Sequence, residues 1–162
     1  MAYRSGDDGA DLLGLFHDLV RCETRLYNAL NDRLRERHGI VTSQFELLRH
    51  LRDRPGSRVA DLAAAFAIGI GATSKGVDRL EKQGWVVRQP NPSDRRSSLL
   101  ALTGDGTALV DAAEATAGER LAELFAGLLA DTLGESALPA VAQALSDLRS
   151  TLERDDVGTP TG

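Results

Sequence analysis

The apolar residues of this chain recur at helical intervals almost from end to end, and the pattern breaks once. Between Trp85 and Leu102 two β-prone runs, Trp85-Val86-Val87-Arg88 and Ser98-Leu99-Leu100-Ala101-Leu102, flank the polar loop Gln89-Pro90-Asn91-Pro92-Ser93-Asp94-Arg95-Arg96. This predicts a two-stranded hairpin, and the loop is too long for a two-residue turn, so its tip must extend. A lone hairpin cannot supply a core. The fold class is therefore mainly α, helices packed on helices, with one small β-hairpin.

Spacing places the helices. Leu12, Leu15, Phe16, Leu19, Leu26, Tyr27, Leu30 and Leu34 share one face of a first helix over 10–38, which Gly39 ends after Arg35, Arg37 and His38. Thr42 and Ser43 offer caps for a second helix, with Ser43 and Glu46 at capping-box spacing and Phe45, Leu47, Leu48 and Leu51 inward. Pro55-Gly56 breaks it. Ser57 offers a cap for a short third helix with Val59, Leu62, Ala63 and Phe66 inward. After the turn Ile68-Gly69-Ile70-Gly71, a fourth helix runs over about 72–83 with Val77 and Leu80 inward, and Gly84 stops it. Thr103 can cap a fifth helix that carries Leu109, Val110, Ala113, Leu121, Leu124, Phe125 and Leu128 to about Leu133. Gly134 separates it from a sixth with Leu138, Val141, Leu145, Leu148 and Leu152. The first nine residues and 155–162 read as fraying ends.

Composition narrows the function classes. With 42% hydrophobic and 27% charged residues the chain can bury a core. It has no apolar run of membrane-spanning length, and Met1 to Ala10 lack the layout of a secretion signal. One Cys and three His exclude a disulfide framework and make no zinc site, so a soluble, cytoplasmic protein without metal or cofactor is expected. There is no nucleophile–base pair at telling spacing, no phosphate-cradling glycine loop and no H-E-x-x-H, so no enzyme is expected. The net charge of −5 is uneven: residues 69–102 hold six basic and three acidic groups, whereas 103–162 hold three basic and eleven acidic. A local cationic head on an acidic scaffold is the result.

Two short helices joined by a glycine-containing turn, then a basic hairpin, suggest a winged helix-turn-helix. In that arrangement the second helix enters the major groove of double-stranded DNA and the wing reaches the backbone or minor groove. Thr73, Ser74 and Lys75 lie near the start of the fourth helix, where side chains and free N–H groups meet a duplex. Lys75 and Arg79 suit phosphate or guanine edges, Arg79 alternatively a helix-surface ion pair, and Arg95 suits phosphate. The competing reading is a helical dimeric interaction module without DNA binding, in which these charges only solvate a turn. The leucine stripes of the terminal helices exceed what so small a monomer needs, which favours a homodimer.

The residues also carry a family resemblance. Gly76-Val77-Asp78-Arg79-Leu80-Glu81-Lys82-Gln83-Gly84-Trp85-Val86-Val87-Arg88, then Asn91-Pro92-Ser93-Asp94-Arg95-Arg96, then Leu102-Thr103-Gly104-Asp105-Gly106, resemble the MarR family pattern of V-D-R-L-E, G-L-V-x-R, D-P-x-D-R-R and L-T-x-x-G. Upstream, Gly39-Ile40-Val41-Thr42-Ser43-Gln44-Phe45 is similar to that family's G-L-T-x-x-Q-F. The resemblance implies a homodimer whose base is built from the terminal helices, 10–38 and 103–154, carrying winged helix-turn-helix lobes over 42–102. It implies that Arg96 is the wing-tip arginine of the minor groove and that Asp94 orients its guanidinium. It implies a repressor of a pseudo-palindromic operator, released by a small phenolic or anionic effector bound between base and lobe. Where family members commonly have polar residues this chain has Ile70-Gly71-Ala72, which allow close approach and contact with a thymine methyl but no bidentate hydrogen bond.

Candidate effector-pocket walls are His17, Tyr27 and Phe45, each with core packing as its alternative. Trp85 should anchor the wing to the helical core. Cys22 has two readings: a buried or half-buried small residue, or an oxidant sensor whose thiolate Arg21 and Arg25 would favour, although no second Cys stands by to resolve it.

Overall fold

The computed structural model describes residues 11–132 and 137–160. It forms α1 (Leu12–His38), α2 (Thr42–Asp53), α3 (Val59–Phe66), α4 (Ile70–Lys82), β1 (Val86–Pro90), β2 (Ser98–Leu102), α5 (Gly104–Thr132) and α6 (Ala137–Arg154). The helical reading with one hairpin holds. The expectations for residues 1–9, for the Leu128 side chain and for the break at Gly134 lie outside the described residues.

One core joins the C-terminal part of α1 to α2, α3, α4, the hairpin and the first half of α5. Leu34, Leu48, Leu51, Leu62, Val77, Leu80, Leu100 and Val110 are among its fully buried members. On α5 the inward residues are Val110, Ala113 and Ala117; two of the three are small, which lets α5 lie close against its neighbours. Gly76 does the same for α4, since a Cβ there would stand 3.2 Å from Leu47 Cδ1 on α2. That contact explains a glycine inside a helix, where it costs roughly 1 kcal/mol relative to alanine.

Two helix starts differ from expectation. α2 begins at Thr42 behind Val41, whose N–H donates to Gln44 Oε1 at 3.0 Å. Thr42 itself is buried, its N–H donating to Asn31 Oδ1 of α1 at 3.1 Å. A reciprocal Gln at the third helical position thus replaces the Ser43–Glu46 box. At α3 the Arg58 N–H donates to Asp61 at 2.8 Å, while the Ser57 hydroxyl turns back to the Arg54 carbonyl at 2.7 Å. In both cases an acceptor inside the first turn reaches the preceding amide, so the helix starts without a hydroxyl cap.

Ion pairs tie α5 to the first two helices. Arg52 on α2 reaches Asp111 at 2.9 Å and Glu114 at 2.8 Å, and Arg49 reaches Glu114 at 3.1 Å. Arg33 on α1 pairs with Glu123 at 3.1 Å, and His38 shares a 2.8 Å hydrogen bond with Thr116. Each surface pair stabilises by at most about 1 kcal/mol, but together they set how the helix-turn-helix sits on α5. By contrast, nothing among the described residues covers the N-terminal part of the α1 stripe: Leu12, Leu15, Phe16 and Leu19 are exposed. α6 buries no residue and exposes Leu138, Val141, Leu145, Leu148 and Leu152.

An open cleft of about 1350 Å³ separates α6 from α2 and α3, with Glu46, Arg49, His50 and Phe66 on one wall and Leu145 and Leu148 on the other. Burial raises the Glu46 carboxyl above its ordinary 4.5, against the opposing pull of Arg49. The folded chain therefore holds that proton more tightly than the unfolded one. The associated stability is complete below the ordinary value and is lost as pH rises through the raised one. Glu46→Gln should accordingly raise Tm at about pH 7, with the two proteins converging below about pH 4. Thermal melts across that range check this; a gain that does not depend on pH would remove burial of the charge as its cause.

Candidate nucleic-acid interface

The turn between α3 and α4 is set by Ala67, in the left-handed region at φ +49°, and by Gly69, the residue before α4. Gly69 has no side chain to cap the helix, so the first amides of α4 keep their donors free. Thr73, Val77 and Leu80 form the inward stripe of α4, and all three are buried. This corrects the expectation for Thr73: it is 1% exposed, and its hydroxyl donates to the Gly69 carbonyl at 3.1 Å. Its position four residues before Val77 puts it on the core face, where it holds the turn.

The opposite side of α4 carries the predicted cations. Lys75 and Arg79 are exposed and Ser74 is half-buried. Asp78 and Glu81 lie on the same helix, and their charge would repel phosphate if left free. Arg88 of β1 pairs with both, reaching Asp78 at 2.5 Å. This arginine, which sequence reasoning passed over, offsets one of the two negative charges of α4 and, by holding both acids, fastens the wing to the helix. Its signal was available: two acids three residues apart on α4, followed by an arginine opposite them on the first strand.

The hairpin pairs antiparallel from Val86↔Leu102 to Pro90↔Ser98. Trp85 packs against the core at its root, as expected. At the tip, Asn91 Oδ1 accepts the Ser93 N–H at 3.0 Å, Asn91 Nδ2 donates to Ser97 Oγ at 2.9 Å, and Asp94 Oδ1 accepts the Arg96 N–H at 2.9 Å. Asp94 thus contacts the Arg96 backbone and not the guanidinium that it was expected to orient. Its carboxylate takes the backbone amide two residues on, the short ring that Asp closes most readily, and so shapes the loop rather than gripping the Arg96 guanidinium. Arg95 and Arg96 are both exposed. Among the described residues, Lys75, Arg79, Arg95 and Arg96 enter no ion pair, unlike Arg49, Arg52, Arg58 and Arg88.

The other candidates separate. Phe45 is core at 3% exposure, whereas His17 and Tyr27 are exposed on α1; none of the three lines the cleft beside α6. Cys22 is exposed, not buried, because that part of α1 extends past the chain's own core. Among the described residues no cluster of His, Cys, Asp and Glu could hold a metal ion, and no helix is long and apolar enough to cross a membrane.

A helix-turn-helix with cations on its second helix, clamped to a wing with arginines at its tip, defines a winged helix-turn-helix transcriptional regulator. Residues 40–98 match the MarR family. Over 124 residues the chain is 32% identical to the multiple antibiotic resistance protein MarR of Salmonella typhimurium, covering 72% of this chain and 86% of that protein. Its fold superposes on a mutant of Escherichia coli MarR complexed with operator DNA at a TM-score of 0.70 and 26% identity, covering 86% and 99% of the two chains. It superposes on the transcriptional repressor CouR bound to a 23-mer DNA duplex at 0.73 and 25% identity, covering 92% and 99%. The chain belongs to the MarR family of transcriptional regulators.

Proposed function

We propose that this protein is a homodimeric repressor that binds a pseudo-palindromic operator and leaves it when a small phenolic or anionic effector binds. The observation that carries the reading is the set of unpaired cations, Lys75, Arg79, Arg95 and Arg96, on two elements locked together by Arg88, in a chain of net charge −5. Lys75 and Arg79, with the free amides of the first turn of α4, meet the major groove, and Ser74 stands beside them. Arg95 takes phosphate and Arg96 the minor groove. The relatives bound to operator DNA and to a 23-mer duplex support the choice of partner. Exposed apolar ridges on α1 and α6 support the dimer, which spaces two recognition helices about one DNA turn (~34–36 Å) apart. The cleft between α6 and the lobe helices α2 and α3 favours the effector part, because a ligand preferring one lobe position shifts the population of DNA-competent dimers.

Arg96→Ala should weaken binding to the DNA flanking the protein's own gene about ten- to hundred-fold and lower the salt dependence by about two units of slope, one for each subunit's arginine. Its melting temperature and sedimentation should stay those of the parent, because the side chain is exposed and unpaired. Gel shifts at two stated salt concentrations read both effects. Unchanged affinity would take the wing out of DNA recognition, and no shift with the parent protein would overturn the operator reading itself.

A further inference from the structure

The outward face of a recognition helix is ordinarily polar where it reads bases. Here the first turn of α4 is not. Ile70 is 59% exposed, Gly71 and Ala72 beside it are exposed, and Ile68 in the preceding turn is 42% exposed. None of this serves the core, which takes Thr73, Val77 and Leu80 from the same helix. Gly71 is not required by the fold either. Its φ is outside the left-handed region and a Cβ added to it would meet nothing within 4 Å, so glycine there only costs the helix stability. The chain thus keeps a smooth apolar ledge at the point of the helix.

The ledge has a definite chemical match. On the same helix Lys75 and Arg79 are free cations, and the acids Asp78 and Glu81 are both held by Arg88, which offsets one of their two charges. An apolar protein partner would leave those cations without counter-charges, whereas a duplex supplies phosphates to them and, in its major groove, one apolar group: the thymine 5-methyl. Gly71 lets the helix backbone approach the base edges, and Ile70 and Ala72 supply carbon surface at the approach. We infer that Ile70, with Ala72, reads thymine in each operator half-site through its methyl group, a specificity carried by apolar contact in place of a bidentate hydrogen bond. The inference rests on the operator-binding reading above and adds the base to it.

The test starts by selecting duplexes from a random library with the full-length protein, then replaces each invariant thymine by deoxyuridine, which removes only the methyl. Losing one buried methyl-sized group should weaken binding about four-fold, and about sixteen-fold when both symmetric half-sites are substituted. Ile70→Ala, a change at an exposed position, should keep the parent melting temperature and reduce the deoxyuridine penalty at that thymine to less than about two-fold. Enriched duplexes that lack an invariant thymine, or that bind equally with deoxyuridine at every such position, would overturn the methyl reading while leaving operator binding intact. A penalty undiminished in Ile70→Ala would overturn the assignment to this side chain. Failure to enrich any duplex would overturn operator binding and this inference together.

Discussion

Alanine at Gly106 should cost about 4 kcal/mol, enough to bring a domain of ordinary stability close to unfolding. Gly106 is buried in the first turn of α5, and a Cβ there would lie 2.1 Å from the Trp85 carbonyl oxygen and 2.9 Å from its carbon. Both are backbone atoms, so no side chain can swing away. The same oxygen accepts the Thr103 N–H at 3.0 Å, while Thr103 Oγ1 donates to the Gly84 carbonyl at 2.7 Å and accepts the Gly106 N–H at 3.0 Å. Making room for one methyl group therefore means pulling the end of α4 and the root of the wing off the cap of α5. Overpacking by itself costs about 1–3 kcal/mol, and each lost hydrogen bond adds about 1 kcal/mol. Gly104→Ala is the control, because a Cβ at that position meets nothing within 4 Å. Urea midpoints of the two variants measure the difference; a Gly106→Ala midpoint equal to the control would mean the close approach is absent.

This junction also shows what the sequence could and could not tell. The motif L-T-x-x-G was visible, and Thr103 was read as a cap, yet the glycine had no evident task until a strand root lay against it. The helices were legible because each had a continuous apolar stripe: Leu47, Leu48 and Leu51 on α2, and Val77 and Leu80 on α4, are buried as the spacing requires. Thr73 misled because a threonine at the start of a recognition helix suits both the core and a duplex, and only its interval to Val77 decides. Asp94 and Cys22 misled for other reasons. A carboxylate can take a nearby amide or a guanidinium, and hydrophobic spacing in α1 does not say which chain covers it. The cationic set on α4 and the wing was legible as residue types. Arg88 left its signal in the spacing of Asp78 and Glu81, but its pairing with both across two elements shows only in the fold.

The exposed stripes make the second large prediction. On α6 the exposed residues Leu138, Val141, Leu145, Leu148 and Leu152 follow one another at intervals of three and four, the seam of a helix that packs lengthwise against another. Leu138 and Val141 are each 41% exposed in the single chain and do not line the cleft beside α6, so glutamates there disturb no core of the subunit. Across a twofold interface the same glutamates would bury charge without partners, which costs several kcal/mol. The double variant Leu138→Glu, Val141→Glu should therefore fold, sediment as a monomer, and bind the operator about 10²- to 10⁴-fold more weakly, because the second half-site is no longer held at high effective concentration. Arg96→Ala, in contrast, should lose affinity as a dimer. Only if the two variants separate in this way are the ridges and the wing independent parts of one device, the ridges fixing the distance between two heads and the wing fixing each head to its half-site. A double variant that remains dimeric with full operator affinity would show that α6 is surface, and the twofold arrangement would then have to rest on α1 alone.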